Sequence, residues 1–115
     1  MTRKVLIIDD ANELIQHVCD FLEFEGHGVK CAGSGEAGLE ILQSWEADVI
    51  LVDMHLPGIQ GDEVIRRARD VREDVLIIAA TGATDPSVEK KCLELGADHF
   101  LGKPYRLTAL VELLP

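Results

Sequence analysis

Apolar residues follow two rhythms along this chain, and the rhythms alternate. Val5–Ile8, Val49–Val52 and Val75–Ala80 are unbroken apolar runs of four to six residues. Short runs without alternation suit parallel strands covered on both faces. Between them the apolar positions recur every three or four residues, the period of a helix with one buried face. The pattern predicts a strand over Lys4–Ile8, then a helix from Asn12 to about Glu25 that buries Leu14, Ile15, Val18, Leu22 and Phe21. Gly26 and Gly28 end that helix, and Val29–Ala32 forms a second strand. Ser34 caps a helix carrying Ala37, Leu39, Ile41 and Leu42, which stops near a packing residue, Trp45.

The second half repeats the alternation. A third strand covers Val49–Asp53, and Leu56-Pro57-Gly58 marks a turn. Val64, Ile65, Ala68 and Val71 mark the third helix, and the fourth strand runs from Asp74 to Ala80 and reaches Thr81-Gly82. Asp85-Pro86 opens a fourth helix with N-cap and N1 residues, and Gly96 closes it. Ala97–Leu101 is the fifth strand, and a last helix starts at Tyr105 or Arg106 and ends near Leu114. Five strand–helix units with short connections predict a doubly wound α/β domain, a five-stranded parallel sheet with five helices on its two faces. At 115 residues the chain is expected to be one domain, residues 1–115.

Charge and cysteines narrow the function classes. The net charge is −10, and all of it comes from residues 1–63, with thirteen acids against three bases. Phosphate backbones need clustered Lys and Arg, so direct binding of nucleic acid by this domain is not expected. Arg66, Arg67, Arg69 and Arg72 are interleaved with Asp70, Glu73 and Asp74, as on a solvated helix face. No apolar run approaches membrane-spanning length and no signal segment opens the chain, so a cytoplasmic protein without membrane contact is expected. Cys19, Cys31 and Cys92 are odd in number and lack ligand spacing, which suits reduced, mostly buried thiols.

The chemistry gathers where strands end. In parallel α/β sheets ligands bind beyond the carboxyl ends of the strands. Asp9 and Asp10 follow the first strand, Asp53 ends the third, Thr81 follows the fourth and Lys103 the fifth. Alone, Asp53 would pass for a turn or capping aspartate. Together, three carboxylates, a hydroxyl and an ammonium at neighbouring strand ends form a pocket. Carboxylates held close repel one another unless a cation offsets them, and an all-oxygen, partly wet set suits Mg²⁺. A phosphoryl group on Asp53 would share its oxygens among that metal, Lys103 and Thr81, which is what phosphoryl transfer needs.

IIDD at 7–10, VDMHLPGIQG at 52–61, ATG at 80–82 and LGADHFLGKP at 95–104 together make the chain resemble a response-regulator receiver domain of two-component signalling, of the chemotaxis-receiver kind. The resemblance runs from Lys4 to the final helix, and it implies the flavodoxin-like strand order 2-1-3-4-5. It further implies that Asp53 is the phosphoacceptor, taking phosphate from the phosphohistidine of a histidine kinase or a histidine phosphotransfer protein. Asp10 would bind Mg²⁺ directly and Asp9 through water, with the backbone carbonyl of His55 as a further ligand. Lys103 would pair with the carboxylate or phosphoryl oxygen, and Pro104 would follow a cis bond. Thr81 and Phe100 would be the switch pair, the latter replacing a more common tyrosine and so working by ring burial alone. His55 and Ala83 would flank the path of hydrolytic water. An effector protein, or an output domain beyond Pro115, would read the switch, in a signalling domain that gains and loses its own phosphate rather than a turnover enzyme. Two rivals remain at this stage. One is a degenerate receiver acting only as a protein-binding module. The other is an aspartate-nucleophile Mg²⁺ phosphohydrolase, which would carry a DxD motif on the first strand rather than adjacent Asp9-Asp10.

Overall fold

A computed structural model of the chain describes residues 2–82 and 86–115, the side chain of Asn12 apart. The helices and strands follow one another as β1 (Lys4–Ile8), α1 (Asn12–Phe24), β2 (Gly28–Ala32), α2 (Gly35–Ser44), β3 (Val49–Asp53), α3 (Gly61–Val71), β4 (Leu76–Thr81), α4 (Pro86–Glu94), β5 (His99–Gly102) and α5 (Leu107–Leu113). All five strands lie parallel in one sheet, ordered β2-β1-β3-β4-β5. This is the flavodoxin-like doubly wound order.

Successive strand residues point to opposite faces, and that period sorts the core into two layers. Leu6, Ile8, Ile50, Val52, Ile77 and Ala79 face α2, α3 and α4, where Leu39, Leu42, Val64, Ile65, Ala68 and Cys92 meet them. Val5, Ile7, Val49, Leu51, Ile78 and Ala80 face α1 and α5 and pack on Ile15, Val18, Leu22 and Leu110. Burial on both faces explains why the three central strands are apolar without alternation. β2 and β5 are the edges, and β2 is largely exposed.

Several boundaries and faces differ from the sequence expectations. β4 begins at Leu76 rather than Asp74, because the Arg69 guanidinium donates to the carbonyls of Glu73 and Val75. β5 begins at His99 rather than Ala97, where Arg69 also holds Gly96 O and the Asp98 carboxylate, which in turn accepts the Ile77 N–H. Arg69 is thus a clamp between α3 and the strand entrances, not a solvated charge; Arg66 and Arg67 stay exposed, paired with Glu63. α5 starts after Arg106, whose extended backbone forms its N-cap. Gly26, at φ +93°, follows the end of α1, while Gly28 is already in β2. Leu14 and Val71 face solvent. The expectation of three reduced thiols also fails: Cys19 on α1 and Cys31 on β2 are joined as a disulfide, and only Cys92 is free and buried. Their twelve-residue separation matches no motif, yet the return from α1 to β2 brings them face to face. The Asp85 cap lies outside the described residues.

Candidate functional site

Register brings the strand ends level. Ile8 is paired with both Ala32 and Val52, so Asp9 emerges beside Asp53; Asp53 in turn is paired with Ala80, and Thr81 with Gly102. The backbone holds these ends in place, since Asp9 N–H donates to Ala32 O at 3.0 Å, Met54 N–H to Ala80 O at 2.9 Å and Lys103 N–H to Thr81 O at 2.7 Å. The peptide before Pro104 is cis.

The side chains converge as the topology requires. Carboxylate oxygens of Asp9, Asp10 and Asp53 lie within 4.8 Å of one another. Lys103 Nζ stands 2.7 Å from Asp9 Oδ2 and 3.1 Å from Asp53 Oδ2. The remaining oxygens are also held: Asp9 Oδ1 accepts the Ala11 N–H at 2.9 Å, and Asp53 Oδ1 accepts the His55 N–H at 3.0 Å. Burial works against the charge on Lys103, but the hydrogen bonds and charges of Asp9 and Asp53 outweigh it and hold the ammonium above the ordinary lysine range. The cluster therefore keeps one fixed cation against three carboxylates.

Among the described residues that leaves two negative charges uncompensated. Asp9 and Asp53 are buried, whereas Asp10 is exposed and bounds the open side. A hard divalent cation suits such an oxygen-only set. Asp9 and Asp53 are each held by Lys103 on one oxygen and by a backbone N–H on the other.

Thr81 is fully buried at the end of β4. Phe100 lies on β5, opposite Ala79, and its partly buried ring packs on the layer that contains Cys92. His55 is exposed and, with Met54, Gln60, Val88 and Cys92, lines a cavity of about 300 Å³. Ala83 lies outside the described residues.

Two supporting residues escape a search for reactive side chains. A Cβ on Gly61 would come within 2.6 Å of Met54 Cα and 2.8 Å of Asp53 O, so only glycine lets α3 begin against the end of β3. A glycine three residues after Pro57-Gly58 was the available signal. Tyr105 is the other. Its hydroxyl is buried without a hydrogen-bond partner among the described residues, and burial, then the charge of Asp9, pushes its pKa up to about 12. It stays a neutral phenol beside the pocket.

Comparison with known proteins bears on the family and the fold. The family model described as response regulator receiver domain matches residues 5–115. A CheY-like response regulator receiver domain protein from Methanospirillum hungatei JF-1 is 28% identical with a TM-score of 0.90, the match covering 97% of this chain and 90% of that one. Chemotaxis response regulator CheY4 of Vibrio cholerae is 28% identical with a TM-score of 0.91, covering 99% and 97%. A response regulator protein from Burkholderia pseudomallei, solved with a phosphorylated aspartic acid, a calcium ion and citrate, is 26% identical with a TM-score of 0.91, covering 98% of this chain and 66% of that one.

Proposed function

We propose that this chain, which belongs to the response regulator receiver domain family of two-component signalling, accepts a phosphoryl group on Asp53 and uses it to reset a protein-binding surface. The observation that carries the reading is the convergence of Asp9, Asp10, Asp53 and Lys103 at level strand ends. The Burkholderia relative with its phosphorylated aspartate supports it by likeness.

The His55 N–H and the Lys103 ammonium grip the two oxygens of Asp53 and fix the carboxylate plane. A carboxylate oxygen attacks phosphorus, the P–N bond of a donor phosphohistidine breaks, and the electron pair leaves on the donor imidazole, which takes up a proton. The donor belongs to a histidine kinase or histidine phosphotransfer protein. Lys103 then follows the new charge, exchanging its contact with Asp53 for a phosphoryl oxygen while keeping Asp9. Mg²⁺ bound by Asp10, Asp53 and the His55 carbonyl, with Asp9 reached through water, would neutralise charge on the transferred group. The Thr81 hydroxyl turns to the phosphoryl group, a charged acceptor worth about 1.5–3 kcal/mol. Its movement vacates space for the Phe100 ring. An effector protein or output domain then reads the surface near α4 and β5.

Intact-mass measurement with a small phosphodonor such as acetyl phosphate tests the assignment. Wild type should gain one phosphoryl group only when Mg²⁺ is present, and Asp53→Asn should gain none. Equal labelling of both proteins, or labelling that survives EDTA, would overturn it.

A further inference from the structure

The Cys19–Cys31 bond lies outside everything the phosphoacceptor reading uses. Cys19 is buried on α1, whereas Cys31 is exposed on β2. β2 is a sheet edge, paired among the described residues only with β1, and three of its five residues are exposed. The sulfur–sulfur bond is therefore the covalent tie of a lightly held strand. A cavity of about 310 Å³ opens beside the bond, lined by Asp9, Ile15, Gln16, Cys31, Ala32 and Gly33. It gives a small thiol reagent room to reach Cys31.

We propose that Cys19 and Cys31 form a reversible thiol–disulfide site, closed by low-molecular-weight disulfides and opened by thiols, that sets how firmly the edge strand β2 is held to α1. The asymmetry of the pair assigns the steps. The exposed Cys31 thiolate attacks one sulfur of the small disulfide, forming a mixed disulfide and releasing one small thiolate. The Cys19 thiolate then attacks Cys31 Sγ, closes the protein bond and expels the second thiolate. Two cysteine thiols are oxidised, one small disulfide is reduced to two thiols, and the two protons pass to the departing thiolates. In a reducing compartment such a bond is made and broken rather than permanent. Cys92 takes no part: it is buried in the opposite core layer, where burial pushes its thiol pKa up.

The bond state reaches the strand end through one residue. Ala32, next to Cys31, accepts the Asp9 N–H at 3.0 Å. Loosening β2 therefore loosens the support of the acidic loop, although the test below needs nothing from the chemistry of Asp53.

Reduced wild type, Cys19→Ser, Cys31→Ser and Cys92→Ser should be equilibrated in graded mixtures of reduced and oxidised glutathione and followed by intact mass and hydrogen exchange. Wild type and Cys92→Ser should lose two hydrogen masses as the mixture becomes oxidising and recover them on reduction. The other two variants should stop at a mixed disulfide or stay thiols. Amides of residues 28–32 should exchange roughly tenfold or more slowly in the closed form than in the reduced form, since the bond restrains local opening. A stable glutathione adduct without closure in wild type, closure that needs Cys92, or equal exchange of residues 28–32 in both forms would overturn the proposal.

Discussion

Replacing Asp53 with asparagine should stabilise the cation-free domain, although it removes half of an observed ion pair. One carboxylate oxygen of Asp53 lies within 4.8 Å of an oxygen of Asp9 and of an oxygen of Asp10. Unit charges at that distance repel by about 3.5 kcal/mol at an effective dielectric near 20. Two such repulsions oppose one attraction, to Lys103 Nζ at 3.1 Å, worth about 5 kcal/mol on the same scale. The repulsions win by about 2 kcal/mol. An amide oxygen at position 53 still accepts the His55 N–H, and Lys103 keeps its shorter contact with Asp9. In a domain of this size a gain of about 2 kcal/mol raises the melting temperature by roughly 5–10 °C. Lys103→Met is the opposite perturbation. It leaves Asp9 and Asp53 buried without their cation, at a cost of about 3–5 kcal/mol. Thermal melts in EDTA, followed by far-ultraviolet circular dichroism, should rank Asp53→Asn above wild type and wild type above Lys103→Met. Millimolar Mg²⁺ should narrow the first gap by raising wild type more than Asp53→Asn. An Asp53→Asn protein that melts at or below wild type in EDTA would refute the charge argument and make Asp53 chiefly structural.

Thr81→Ala should still take up a phosphoryl group but lose most of the change at Phe100, as side-chain NMR with and without beryllofluoride would show; a full response at Phe100 would rule out coupling through the hydroxyl. Tyr105 is the only tyrosine in the chain, so one ultraviolet titration isolates it. Its phenol should ionise near pH 12 in the fold and near 10 in denaturant. Because the fold holds that proton more tightly, the stabilisation is fully present below pH 10 and is lost as pH rises through 12; a native midpoint near 10 would refute its burial beside the acidic pocket. His55→Ala should change the rate of phosphoryl loss between pH 6 and 8 more than it changes Mg²⁺ affinity, because the backbone N–H and carbonyl remain. Superimposable rate–pH curves would leave the imidazole without a part.

What the chain makes legible follows from which interactions are local. Strands β1, β3 and β4 announce themselves because both of their faces are buried, so burial leaves an unbroken apolar mark on the sequence. Their carboxyl ends carry the site, and parallel register does the rest: once Ile8 lies opposite Val52, Asp9 has nowhere to go but beside Asp53. The features that were not legible are those made by contacts between distant segments. Arg69 looks like one charge of a solvated cluster until the turn at Gly96 folds back under it. The Cys19–Cys31 bond is hidden for a related reason, since one partner sits on a helical period and the other on an edge strand. Tyr105 is harder still. Helical spacing suggested that the last helix could begin there, yet the ring packs into the core layer of α1 and α5 and its hydroxyl sits where the charges of Asp9, Asp53 and Lys103 act on it. Local pattern thus announces the groups that gather at the strand ends, while the residues that hold those groups in place are set by tertiary packing. A substitution at Arg69, Gly61 or Tyr105 is accordingly expected to disturb the site through position rather than chemistry, leaving every reactive side chain present and displaced.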